Sequence, residues 1–85
     1  MIWHYNKQTD TAFTYSTSLG MGFVITPLRF AEEQPQISYE LWMKTGDCLH
    51  PVGQRFISYG TTIAVLKVIA EIIFCAQLEI EELLQ

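Results

Sequence analysis

IAVLKVIAEIIFCAQLEI, residues 63–80, is the most apolar run in the chain, and the fold is decided by what it is. As a helix, eighteen residues span about 27 Å, close to the thickness of a bilayer core. Lys67 and Glu71 interrupt the run, and Glu79, Glu81 and Glu82 crowd its end. A charge near the centre of a spanning helix costs about 2.5–3.5 kcal/mol. Lys67 and Glu71 also stand four apart, the spacing of ion pairs on exposed soluble helices. The run therefore reads as a long helix of a water-exposed protein, with no membrane span. Gly60 breaks the preceding segment, and Thr61 or Thr62 can cap the helix by accepting a backbone N–H. The helix is expected to run to about Leu84.

At 100° per residue, Val65, Leu66, Ile69, Ile72, Ile73, Ala76, Ile80, Leu83 and Leu84 share one broad face, which is expected to pack on the rest of the protein. Ile63, Ala70, Phe74 and Leu78 fall on the opposite side. Burying a Leu- or Phe-sized side chain is worth about 1.5–3 kcal/mol. This second stripe is therefore expected to pair with its counterpart on another copy, making a homodimer.

Upstream, the pattern changes from helical to alternating. TAFTYST, residues 11–17, sets Phe13 and Tyr15 against Ala12, Thr14 and Ser16, the signature of a half-buried strand. Gly20 and Gly22 around Met21 read as a turn. GFVIT follows as a strand, stopped or bent at Pro27, with LRF as a candidate to resume it. AEEQPQ, residues 31–36, reads as a loop. ISYELWMK, residues 37–44, alternates again, TGDCLHPVG reads as a long hairpin tip, and QRFISY as the returning strand. Four or five strands followed by one long helix predict an α+β domain: an antiparallel sheet with the helix on one face.

Composition narrows the function. The chain has 85 residues, enough for one small domain, and 49% of them are apolar, more than so small a core readily hides. The net charge is −4. Lys7, Arg29, Lys44 and Arg55 against Asp10, Glu32, Glu33, Glu40 and Asp47 leave −1 over residues 1–60. Lys67 against Glu71, Glu79, Glu81 and Glu82 leaves −3 over the rest. An acidic chain argues against strong binding to nucleic acid or an acidic membrane. Cys48 and Cys75, with no secretory signal at the N-terminus, read as reduced thiols in the cytoplasm.

Catalytic chemistry finds little support. Asp47, Cys48 and His50 cluster in the hairpin tip, but a metal needs three or four ligands in fixed geometry. A Cys48–His50 nucleophilic pair lacks a suitable spacing and an oxyanion hole. Gly20 and Gly22 have neither the third glycine nor the following helix of a phosphate loop. No catalytic, metal or cofactor site is expected. Glu79, Glu81 and Glu82, at the helix end where negative charge is unfavourable, form a candidate docking spot for a basic partner. Strand aromatics on an uncovered sheet face can stack on bases, at about 1–3 kcal/mol each. Trp42, which shares its face with Glu40 and Lys44, is the leading candidate.

The segment YELWMKTGDCLHPVGQRFISYGTTIAVLKVIAEI, residues 39–72, resembles the single-stranded-DNA-binding transcriptional regulator fold of positive cofactor four and the Whirly proteins. The likeness lies in a strand ending in Trp-Met, a glycine-containing hairpin, a basic residue, an Ile-Ser strand end and then a helix. It implies dimerisation through helices and a single-strand site at Trp42, Lys44 and Arg55. The expected function is a non-catalytic, homodimeric regulatory protein that acts by binding an unidentified protein partner. Weak single-stranded nucleic-acid binding is the alternative, and an enzyme is the least supported class.

Overall fold

In the computed structural model the described residues are 1–28, 38–52 and 62–84. They form five strands and one helix: β1 (His4–Asn6), β2 (Thr11–Ser16), β3 (Met21–Leu28), β4 (Ser38–Thr45), β5 (Cys48–Pro51) and α1 (Ile63–Leu83). The strands make one antiparallel sheet in the order β1-β2-β3-β4-β5, and α1 packs on it against β3 and β4. The architecture is α+β.

The period of two along each strand sorts the side chains. Ala12 pairs with Ile25 and Ile25 with Leu41, while Thr14 pairs with Phe23 and Phe23 with Met43. These residues share the helix side of the sheet, where Phe23 and Ile25 are the largest fully buried side chains. Met21, Leu66 and Ala70 complete the buried core, with Trp3, Tyr39, Met43, Ile63, Ile69, Ile73 and Phe74 packed around it. Thr14 is a buried polar residue, and its hydroxyl is satisfied by donating to the Ile2 carbonyl at 2.6 Å.

Three local expectations are settled, the last of them as a correction. β3 continues through Pro27 to Leu28, paired with Tyr39 and Ser38. The pairing with β2 has ended by Ile25, so Pro27 lies where β3 has a strand on one side only and a missing N–H is tolerated. Gly22 belongs to β3, as the strand reading of GFVIT had it, and the strand begins one residue earlier at Met21. Residues 45–52 do not form a long tip. Thr45 pairs with Cys48 across a two-residue turn, and β5 follows at once. Gly46 makes this possible: its φ of 58° is the left-handed backbone that tight hairpins require at a central position. The strand expected over QRFISY and the loop expected over AEEQPQ lie outside the described residues.

Thr62 caps α1, its hydroxyl accepting from the Val65 amide at 3.3 Å. The faces of α1 are the main correction. Leu66 and Ala70 are buried, and Ile63, Ile73 and Phe74 pack against the core. Val65, Ile72, Ala76, Ile80, Leu83 and Leu84, expected on the sheet, are exposed. The helix is turned by about a quarter of a revolution from the expected orientation. Its circumference is apolar over more than half a turn, so the centre of the apolar arc falls between two faces. Ala70, completely buried, lets the helix backbone approach the sheet along its own line.

Candidate functional site

Two surfaces remain uncovered among the described residues: the sheet face away from α1, and the outer side of α1 itself.

The open sheet face follows from register. His4 pairs with Phe13, Phe13 with Val24, Val24 with Trp42 and Trp42 with Pro51. One row of rings and aliphatic groups thus crosses all five strands. The His4 and Phe13 rings stack with centroids 5.3 Å apart and 27° between planes. The next row holds Tyr15, Gly22, Lys44 and Leu49. Gly22 has a specific reason to be glycine. A Cβ there would stand 2.5 Å from the Thr14 carbonyl oxygen and 2.7 Å from the Tyr15 ring. The Tyr15 ring is therefore seated across the β3 backbone. Phe13, Tyr15 and Leu49 are exposed, and Trp42 is half-buried. Glu40 borders the face, within 3.4 Å of the Thr26 hydroxyl.

Trp42 and Lys44, expected to act together, do share this face in adjacent rows; Arg55 lies outside the described residues. Trp3 is on the helix side instead, with Lys67 Nζ 5.6 Å from its ring centroid. Its indole Nε1 is buried and meets no acceptor among the described residues. In the hairpin, His50 Nε2 is 3.1 Å from the Thr45 hydroxyl, and Cys48 is an exposed free thiol.

The second surface runs along α1. Val65, Val68, Ile72, Ile80 and Leu83 are between 49% and 84% exposed, too high for side chains that serve the core. At 100° per residue they fall within about a third of the helix circumference, together with Ala76 and Glu79. Of the residues expected to form a dimer contact, Ile63, Ala70 and Phe74 are occupied by the sheet, and Leu78 is exposed. Leu66, Ile69 and Ile73 meet the core as expected, and the quarter-turn brings Ile63, Ala70 and Phe74 to it in place of Val65, Ile72 and Ala76. Glu79, Glu81 and Glu82 are all exposed, and Gln77 donates to Glu81 at 3.2 Å. No helix among the described residues is long and apolar enough to cross a membrane.

Sequence reasoning missed one polar cluster. Tyr5 and Tyr39 both donate to Asp10, each at 2.5 Å, one to Oδ1 and the other to Oδ2. Asp10 sits at a φ of 51° in the turn between β1 and β2, a conformation that Asp tolerates better than most residues. The hydrogen bond to Asp10 is the main cause that pushes the Tyr39 phenol up to about 12, with burial and the carboxylate's charge adding to it. Tyr5 is raised for the same reasons.

Compared with known proteins, the chain matches no family model, no curated protein and no solved structure.

Proposed function

We propose that this chain is a non-catalytic binding protein that works as a homodimer joined through the outer stripe of α1. Paired in this way, it presents the open sheet face and the glutamate end of the helix to a protein partner in the cytoplasm. The observation that carries this reading is the run of exposed Val65, Val68, Ile72, Ile80 and Leu83 along one side of a helix whose other side already fills the core. Single exposed aliphatics are ordinary. Five aligned over more than four helical turns are a surface.

Magnitudes agree with pairing. At ~1.5–3 kcal/mol per fully buried aliphatic side chain, covering the exposed parts of these five residues on two copies is worth on the order of 10 kcal/mol. Association costs about 4–15 kcal/mol. The pair is thus of moderate strength and depends on concentration. Light scattering over a dilution series should show a dimer for the unaltered protein and a folded monomer for Ile72→Glu. A monomer at roughly 100 µM ends this reading.

Weak single-stranded nucleic-acid binding is a second reading, favoured by Phe13, Tyr15 and Trp42 lying on the same open face as Lys44. Stacking at ~1–3 kcal/mol per base would dominate it. With so few cations, the salt slope should be shallow, at about −0.7 per phosphate contacted. Titrating an oligothymidine at low salt, Trp42→Ala should weaken binding more than Lys44→Ala does. Equal losses would point to charge and not to the ring row.

A further inference from the structure

Resting on the reading of the outer stripe as a self-association surface, we infer that two copies of α1 pair antiparallel, about a two-fold axis at the level of residue 74. The stripe is symmetric about that level. Val65 and Leu83, Val68 and Ile80, and Ile72 and Ala76 are each equally spaced on either side of position 74. An antiparallel partner therefore sets its Leu83 beside Val65, its Ile80 beside Val68 and its Ala76 beside Ile72. Ile69 and Glu79 obey the same symmetry and form the single mixed level. Positions 65, 72 and 79 and positions 69, 76 and 83 also repeat every seven residues, which keeps the seam facing a partner helix along its length.

Charge selects the same direction. Glu79, Glu81 and Glu82 crowd the last turns, with no basic residue in the final turn and no acidic residue in the first. A helix carries partial positive charge at its N-terminus and partial negative charge at its C-terminus. Parallel pairing would bring two glutamate triads and two negative helix ends together. Antiparallel pairing sets each negative helix end beside the other copy's positive first turn. The sheet does not stand in the way, because Leu66 and Ala70 meet it along a line roughly 100° or more around the helix from the centre of the stripe.

The test uses the full chain with Cys48→Ser and Cys75→Ser, both exposed positions. One preparation also carries Val65→Cys, the other Leu83→Cys with an added tag to separate products by mass. Each alone and the two mixed are oxidised gently, and light scattering of the reduced samples gives the oligomeric state. Antiparallel pairing brings positions 65 and 83 together, while two copies of position 65 lie about 27 Å apart along the axis, beyond disulfide reach. The mixed disulfide should then exceed either self-disulfide by roughly tenfold or more. A dimer in which Val65→Cys links to itself as readily overturns the orientation. A dimer with no cross-link overturns this face as the interface. A monomer by light scattering overturns the self-association reading beneath it.

Discussion

Tyr39, at the start of the described part of β4, donates to Asp10 in the β1–β2 turn, twenty-nine positions earlier in the chain. The contact ties the first hairpin to the fourth strand on the helix side of the sheet. It also sets a pH limit. The phenol must keep its proton to donate, and its folded-state value is raised from 10.0 to about 12. Stability from this bond is fully present below pH 10 and is lost as pH rises toward 12. Tyr39→Phe should lower stability by ~1–2 kcal/mol at neutral pH and remove one late-ionising phenol from an alkaline absorbance titration. If all phenols titrate near the ordinary value in the unaltered protein, the bond to Asp10 is absent in solution.

Gly22→Ala should destabilise the sheet by about 1–3 kcal/mol. The added methyl meets the Thr14 backbone carbonyl, which cannot move without moving β2. Urea unfolding measures the loss. The Tyr15→Ala, Gly22→Ala double variant should recover only part of it, since the carbonyl clash remains. Full recovery would mean that the ring alone requires glycine there.

The two sides of α1 should respond oppositely to change. Ala70→Leu forces a larger side chain against β3 and β4 and should cost about 1–3 kcal/mol, with circular dichroism reporting a lower melting temperature. Val68→Lys on the outer side should leave the melting curve of the isolated monomer within about 0.5 kcal/mol of the unaltered monomer. A Val68→Lys chain that fails to fold would show that the outer side serves the core.

Thr62→Ala removes the hydroxyl that accepts the Val65 amide and should cost about 0.5–2 kcal/mol. Thr62→Ser keeps an acceptor and should restore most of that. A serine variant as weak as the alanine one would assign the loss to the threonine methyl and not to capping.

Legibility followed the range of the interaction. Alternation in TAFTYST and SYELWMK showed which residues share a face, because a strand's period is local. The cap before Ile63 was local too. The rotation of α1 was not, since a helix apolar over more than half its circumference offers two core faces. The choice rests on Ala70, a small residue whose value is the approach it permits. CLHP was read as loop because it lacks alternating β-branched residues and ends in proline, although Gly46-Asp47 already marked a two-residue turn. The clasp of Tyr5 and Tyr39 on Asp10 joins residues far apart in sequence, and no local pattern announces it. At the open face, Trp42 and Lys44 were placed on one side by alternation alone, whereas the row from His4 to Pro51 needed the register of four strand pairs.

The strand order has a kinetic consequence. Every neighbour in the sheet is also a neighbour in the chain, so β1 to β5 can form in succession from pairs close in sequence, at small entropic cost. α1 is the exception: it must return to β3 and β4, and until it does, Phe23, Ile25 and Leu41 face water on a bare sheet. Docking of α1 is therefore expected to come late on the folding path. Changes at Leu66 should accordingly act mainly on how fast the protein opens, and changes in the β3–β4 pairing on how fast it forms.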